Sequence, residues 1–129
     1  MIVSGDGAVA ATGYTGERED EHGGMRHAED VAIEKAKEAR APFPLDSFVL
    51  YSTLEPCSVR ASGKTPCVER IVDAGIGAVV YGAKEPFDPA LKIVCEGERV
   101  LMEAGVEVLF LGEYEKQCLE SVVSNRIRG

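Results

Sequence analysis

Three side chains in this sequence could hold a transition-metal ion, and a fourth could move protons beside it. Cys57 and Cys67 each follow a proline in the stretch TLEPCSVRASGKTPC, residues 53–67. His27 lies upstream in RHAED, residues 26–30. Zinc takes thiolate and imidazole ligands, and a catalytic zinc keeps three protein ligands with a fourth position open to water. One imidazole and two thiolates are a complete set for such a site. A zinc ion held there would lower the pKa of its water to about 7. Glu29 follows His27 by two residues. At ~3.6 residues per turn that is roughly 200° around a helix. In the first turn, however, a glutamate can bend back over the metal without ligating it. A carboxylate so placed can take a proton from water and deliver it to a reacting group.

A structural zinc would need a fourth protein ligand, for which His22, Cys95 and Cys118 are the candidates. Cys95 and Cys118 fall in expected helices beside Ile93, Val94, Leu119 and Val122, where core packing is the better reading. His22 reads as a loop residue. The ordinary alternatives for the main set are buried cysteines and a helix-start acid at Glu29. Two prolyl-cysteines with an upstream HAE favour the metal.

The elements that must position these residues alternate. VSGDGAVAATGYT (3–15) reads as a hairpin around a Gly-Asp-Gly turn. A charged, glycine-rich loop follows over 16–25. HAEDVAIEKAKEAR (27–40) has Ala28, Ala32, Ile33, Ala36 and Ala39 at helical spacing. APFPLDS stops it with two prolines. SFVLYST (47–53) reads as a buried strand. The stretch 65–75 reads as a helix with Thr65 as cap, Pro66 in the first turn and Gly75 at the end. Strand 77–83, helix 90–105 with Gly97 as a weak point, strand 106–112 and helix 113–127 complete the order. Such alternation predicts an α/β fold with parallel pairings and helices on both faces. Sites in these folds lie at strand carboxyl ends beside helix N-termini. Cys57 follows a strand, and His27 opens a helix.

Composition narrows the function. The chain has 129 residues, 45% hydrophobic and 28% charged, with a net charge of −8. That length supports one domain with a real core. Lysines and arginines are scattered among acids, which disfavours a nucleic-acid partner; an editing enzyme would need a basic face. No apolar run approaches a membrane span, and the N-terminus lacks a signal-peptide pattern. The expectation is a cytoplasmic protein, whose four cysteines serve as ligands, nucleophiles or buried small residues rather than disulfides.

HAE at 27–29 followed by Pro-Cys at 56–57 and a second Pro-Cys at 66–67 is the layout of a zinc deaminase. HAE, TLEPCS (53–58) and GKTPC (63–67) together resemble the deaminase domain of the bifunctional riboflavin-biosynthesis protein, in the cytidine-deaminase-like superfamily. The resemblance continues through IVDAGIGAVVYGAKEP (71–86) and LMEAGVEVLF (101–110), from about Val3 over most of the chain. Its long spacing between cysteines characterises that branch, and loop 58–66 looks like a substrate wall inserted between two ligands. The resemblance implies a three-layer α/β/α sandwich around a mixed sheet of five strands. It implies zinc on His27, Cys57 and Cys67, with Glu29 as proton shuttle. Lys64 matches the family's loop lysine that faces the substrate phosphate, a fitting point charge for that task. A homodimer or higher homo-oligomer is expected.

The implied reaction removes an amine from a small aminopyrimidine, with a phosphoribosylated diaminopyrimidinone as leading substrate. Departures from the family pattern widen the choice. Val59 and Arg60 stand where the family carries a histidine pair or His-Tyr, and the loop is about one residue longer. Asp20 takes the place of a family histidine, EPFDP (85–89) replaces Asp-Pro-Asn-Pro, and Phe87 there reads as packing. The expectation is a single deaminase domain over 1–129, without the family's first helix and without a reductase domain. The alternatives are deamination of a free base, a nucleoside or a specialised pyrimidine metabolite, and a non-catalytic deaminase-fold binding subunit. A retained Glu29 speaks against the last.

Overall fold

The computed structural model describes residues 1–60, 62–85, 90 and 94–128, with side chains as far as 122. Strand β1 (Ile2–Val3) turns into β2 (Val9–Ala11), and the Ser4 N–H donates to the Ala8 carbonyl at 2.8 Å across the turn. Gly7 takes φ +88°, which its lack of a Cβ permits. The expected hairpin is therefore present, with its pairing beginning at Ile2.

Helix α1 (Ala28–Glu38), strand β3 (Val49–Leu54), helix α2 (Cys67–Asp73), strand β4 (Ala78–Ala83), helix α3 (Gly97–Glu103), strand β5 (Glu107–Phe110) and helix α4 (Glu115–Arg128) follow in chain order. A 3-10 turn, Gly112–Tyr114, leads into α4. The strands form one sheet in the order β2-β1-β3-β4-β5. Pairings of β1 with β2 and β3 are antiparallel, whereas β3–β4 and β4–β5 are parallel. This is the mixed five-stranded α/β sheet expected from the sequence.

Side-chain alternation assigns the two faces. Ile2, Leu50 and Val79 are fully or almost fully buried, and share a core with Ala32, Ile33 and Ala36 of α1, Val68 and Ile71 of α2, and Leu101 of α3. Burying each of the larger aliphatic side chains stabilises by about 1.5–3 kcal/mol, so this layer fixes α1, α2 and α3 against one face of the sheet. Gly82 points to the opposite face, where Cys118 of α4 closes over it. Among the described residues, no helix is long and apolar enough to cross a membrane.

Two helix starts differ from the sequence reading. The third helix begins at Gly97 rather than at 90; residues 94–96 are not helical, and 91–93 lie outside the described residues. The first residue of the helix packs so closely on the Pro56 carbonyl oxygen that only a glycine, Gly97, fits there. The adjacent Glu98 N–H is capped at 2.9 Å by the buried Glu55 carboxylate. Cys95 consequently sits outside any helix. Thr65 does not cap α2; the N-cap is Pro66, with no side-chain cap. The N–H groups of that turn are instead taken by Cys57, as described below. EPFDP and Phe87 fall, save for Glu85, outside the described residues.

Candidate metal centre and active site

His27 is the N-cap of α1, with φ −72° and ψ 156°. It is extended, not helical, so the roughly 200° separation from Glu29 that a regular helix would impose does not apply. Thr15 Oγ1 accepts from the Ala28 N–H at 3.3 Å, and Gly13 lies so close to the Ala28 carbonyl that a Cβ would clash. The segment after the hairpin is thereby pressed onto the start of α1, and His27 is held there.

Cys57 follows β3, and Cys67 is the first residue of α2, only 1% exposed. The Cys67 N–H donates to Cys57 Sγ at 3.2 Å, and the Val68 N–H donates to the Cys57 carbonyl at 3.2 Å. Cys57 thus does the capping that Thr65 was expected to do.

His27 Nδ1 lies 3.3 Å from Cys67 Sγ and 3.5 Å from Cys57 Sγ. Among the described residues, these three side chains form the one group of potential metal donors, with ligand atoms within 4.8 Å of one another. A tetrahedral zinc with Zn–S of about 2.3 Å and Zn–N of about 2.0 Å would set nitrogen and sulfur about 3.5 Å apart. The donor set and its spacing therefore fit zinc. Neither Cys95, which donates to the Pro56 carbonyl at 3.3 Å, nor Cys118, nor His22 joins the group. His22 is 80% exposed and faces Glu21. The arrangement has three donors rather than the four of a structural site.

Without metal, the two thiols share charge unequally. Hydrogen bonding from Cys67, opposed by burial and helped by His27, pushes Cys57 down to about 4. Hydrogen bonding to Cys57, with burial and the nearby Glu29 charge, pushes Cys67 up. The Cys57 contact also raises His27 above its ordinary value, against the effect of burial. A bound dication would hold both thiols deprotonated.

Glu29 stays outside the donor cluster but touches it. Its Oε2 lies 3.4 Å from Cys67 Sγ, and its Oε1 lies 2.6 Å from the Ser52 hydroxyl. Lys64 lies beyond, in a cavity of about 290 Å³ lined by Glu19, Asp20, Arg26, Arg60, Arg70 and others. Its ammonium is paired with Asp20. The same Asp20 carboxylate accepts from the His22 and Gly24 N–H groups at 2.8 Å each, so it ties loop 16–25 to loop 58–66. Arg60 reaches the Met25 carbonyl at 3.4 Å.

Sequence reasoning missed two supports. Ser52 has no motif and emerges only when β3 meets α1. Asp30 is 6% exposed and accepts from Arg26 Nε and Nη2 at 2.9 Å each, with Arg70 of α2 at 3.3 Å. Burial opposes its ionisation, but the Arg26 hydrogen bonds and the Arg70 and Arg26 charges outweigh it and hold Asp30 below the usual carboxylate range.

Known proteins resemble this chain in sequence and fold. A diaminohydroxyphosphoribosylamino-pyrimidine deaminase of Schizosaccharomyces pombe is 35% identical over 122 residues, covering 95% of this chain and 28% of the relative. A riboflavin biosynthesis protein RibD of Synechocystis is 35% identical over 119 residues, 92% of this chain and 28% of the relative. This chain thus spans under a third of the length of these relatives. Among solved structures, a deaminase/reductase from Thermotoga maritima superposes with a TM-score of 0.66 at 26% identity, covering 92% of this chain and 30% of that one. The family model for the cytidine and deoxycytidylate deaminase zinc-binding region matches residues 1–83, a span that contains His27, Glu29, Cys57 and Cys67. With that match laid over a three-donor cluster and an adjacent carboxylate, the chain belongs to the cytidine and deoxycytidylate deaminase zinc-binding family.

Proposed function

We propose that this chain is a zinc-dependent hydrolytic deaminase of a small aminopyrimidine, with the phosphoribosylated diaminopyrimidinone of riboflavin synthesis as its leading substrate. The observation that carries the reading is a carboxylate oxygen of Glu29 at 3.4 Å from Cys67 Sγ, beside the cluster of His27, Cys57 and Cys67 and outside it. Those three residues would hold zinc, which when bound makes water nucleophilic at neutral pH. In the balanced reaction, water replaces the ring amine and ammonia leaves. Glu29 would take a proton from the water, give it to the ring nitrogen, and supply the departing amine with its proton, so one carboxylate serves every transfer. The naming of relatives as diaminohydroxyphosphoribosylaminopyrimidine deaminases supports this choice.

Lys64 would meet the substrate phosphate from the cavity it lines. Its pairing with Asp20 favours a second reading, an unphosphorylated base, nucleoside or pyrimidine metabolite, because the lysine charge is already matched. A cytoplasmic homodimer completes the proposal, and sedimentation equilibrium tests the dimer.

The deciding experiment is ammonia release by the zinc-loaded protein from the phosphoribosyl diaminopyrimidinone, its dephosphorylated form, cytidine, cytosine, deoxycytidylate and guanine. A Glu29→Ala protein serves as control. Turnover confined to the phosphorylated pyrimidinone supports the leading substrate and the role of Lys64. Turnover of an unphosphorylated compound favours the second reading. No ammonia from any of them, with zinc bound, sinks the deaminase reading for this substrate class.

A further inference from the structure

Ser52 is a polar residue placed among core positions. Strand alternation puts it on the face of β3 that carries the buried Leu50, the face against which α1 packs. Its hydroxyl oxygen is 2.6 Å from Glu29 Oε1 and 2.7 Å from the Leu54 carbonyl. The other carboxylate oxygen, Oε2, is the one near Cys67. One oxygen of Glu29 is therefore tied to the sheet while the other faces the donor cluster.

A strand serine that merely satisfies itself on a nearby carbonyl would explain the Leu54 contact. It would not require the glutamate of a neighbouring helix at 2.6 Å. A hydroxyl offers one hydrogen and two lone pairs, so Ser52 can donate to Glu29, or donate to Leu54 and accept from Glu29 when that group carries a proton. A methyl or isopropyl group at this position could do neither. Glutamate is long, and without this contact its carboxylate would keep only the longer 3.4 Å approach to Cys67 Sγ to orient it.

We propose that Ser52 is a positioning residue. It anchors Glu29 Oε1 to β3, so that Oε2 is presented to the reacting water and amine. The proposal rests on the deaminase reading, and its test separates the two. Zinc-loaded wild type, Ser52→Ala, Ser52→Val and Ser52→Thr are compared by metal content and by 13C NMR of glutamate-labelled protein. The Glu29 carboxyl signal is identified by its loss in Glu29→Gln. Kinetics are measured on whichever panel substrate turns over. All variants should keep zinc. The Glu29 signal should shift in the alanine and valine variants and return with threonine. Loss of one hydrogen bond to a charged group corresponds to a kcat lowered by about tenfold, with KM changed by less than about twofold. Threonine should restore most of it. An unmoved Glu29 signal in both hydroxyl-free variants, or an unchanged kcat in them, overturns the proposal. If wild type turns over nothing, the deaminase reading fails, and the carboxyl signal alone decides whether Ser52 holds Glu29.

Discussion

Glu29 and Cys67 touch, yet their loss should have different consequences. Cys67 is a member of the donor cluster, while Glu29 only faces it. Glu29→Ala should leave zinc content and fold unchanged and lower turnover by about 10³-fold or more, since the proposed proton transfers would lose their carrier. Metal analysis alongside ammonia release checks this, and near-normal turnover would remove Glu29 from the mechanism. Cys67→Ala should lose metal and activity together, because a site with two protein ligands binds zinc far more weakly. Stoichiometric zinc in that variant, measured after dialysis, would point to a different ligand set. The contrast matters because a single kinetic defect would not distinguish a ligand from a proton carrier.

At the scale of elements, the site depends on how helix starts are docked. Asp30 joins α1 to α2 through Arg26 and Arg70. Arg26→Ala should destabilise by about 2 kcal/mol at neutral pH, as expected for loss of hydrogen bonds to a buried charge. The sign with pH follows from the depressed Asp30 value. Its contribution is fully present above the unfolded value of 3.8 and is lost as pH falls through the lower folded one. The variant should therefore acid-unfold at higher pH than wild type in a circular dichroism titration; coincident acid limbs would remove the pair from the stability account. Gly97 meets the Pro56 carbonyl one residue before Cys57. Gly97→Ala must push that backbone away, costing about 1–3 kcal/mol in urea unfolding. A neutral result would show that the segment before Cys57 yields freely.

At the scale of the whole molecule, the three donors come from the start of α1, the end of β3 and the start of α2, so metal binding would clamp separate parts of the chain. Zinc at about 1,000 times its dissociation constant should stabilise by roughly 4 kcal/mol and raise the melting temperature by roughly 15 °C, reversibly on chelation. A melting temperature indifferent to zinc would argue that the three donors do not bind it in solution.

Residue types and intervals along the chain were enough to pick His27, Glu29, Cys57 and Cys67 as candidates that the structure brings together, because metal and proton chemistry demands particular atoms whatever the fold. Periodicity was likewise enough for the alternating α/β order, because apolar spacing records which side of each element is buried. Only tertiary contact could show that Cys57 replaces Thr65 as the cap of α2, or that the start of α3 packs on the Pro56 carbonyl so closely that only Gly97 fits. The same holds for Asp20 engaging Lys64 and for Ser52 holding Glu29. These features are pairings between residues 10 to 44 positions apart. Neither partner carries a local signal for the other, because the contact exists only once the sheet and helices have packed.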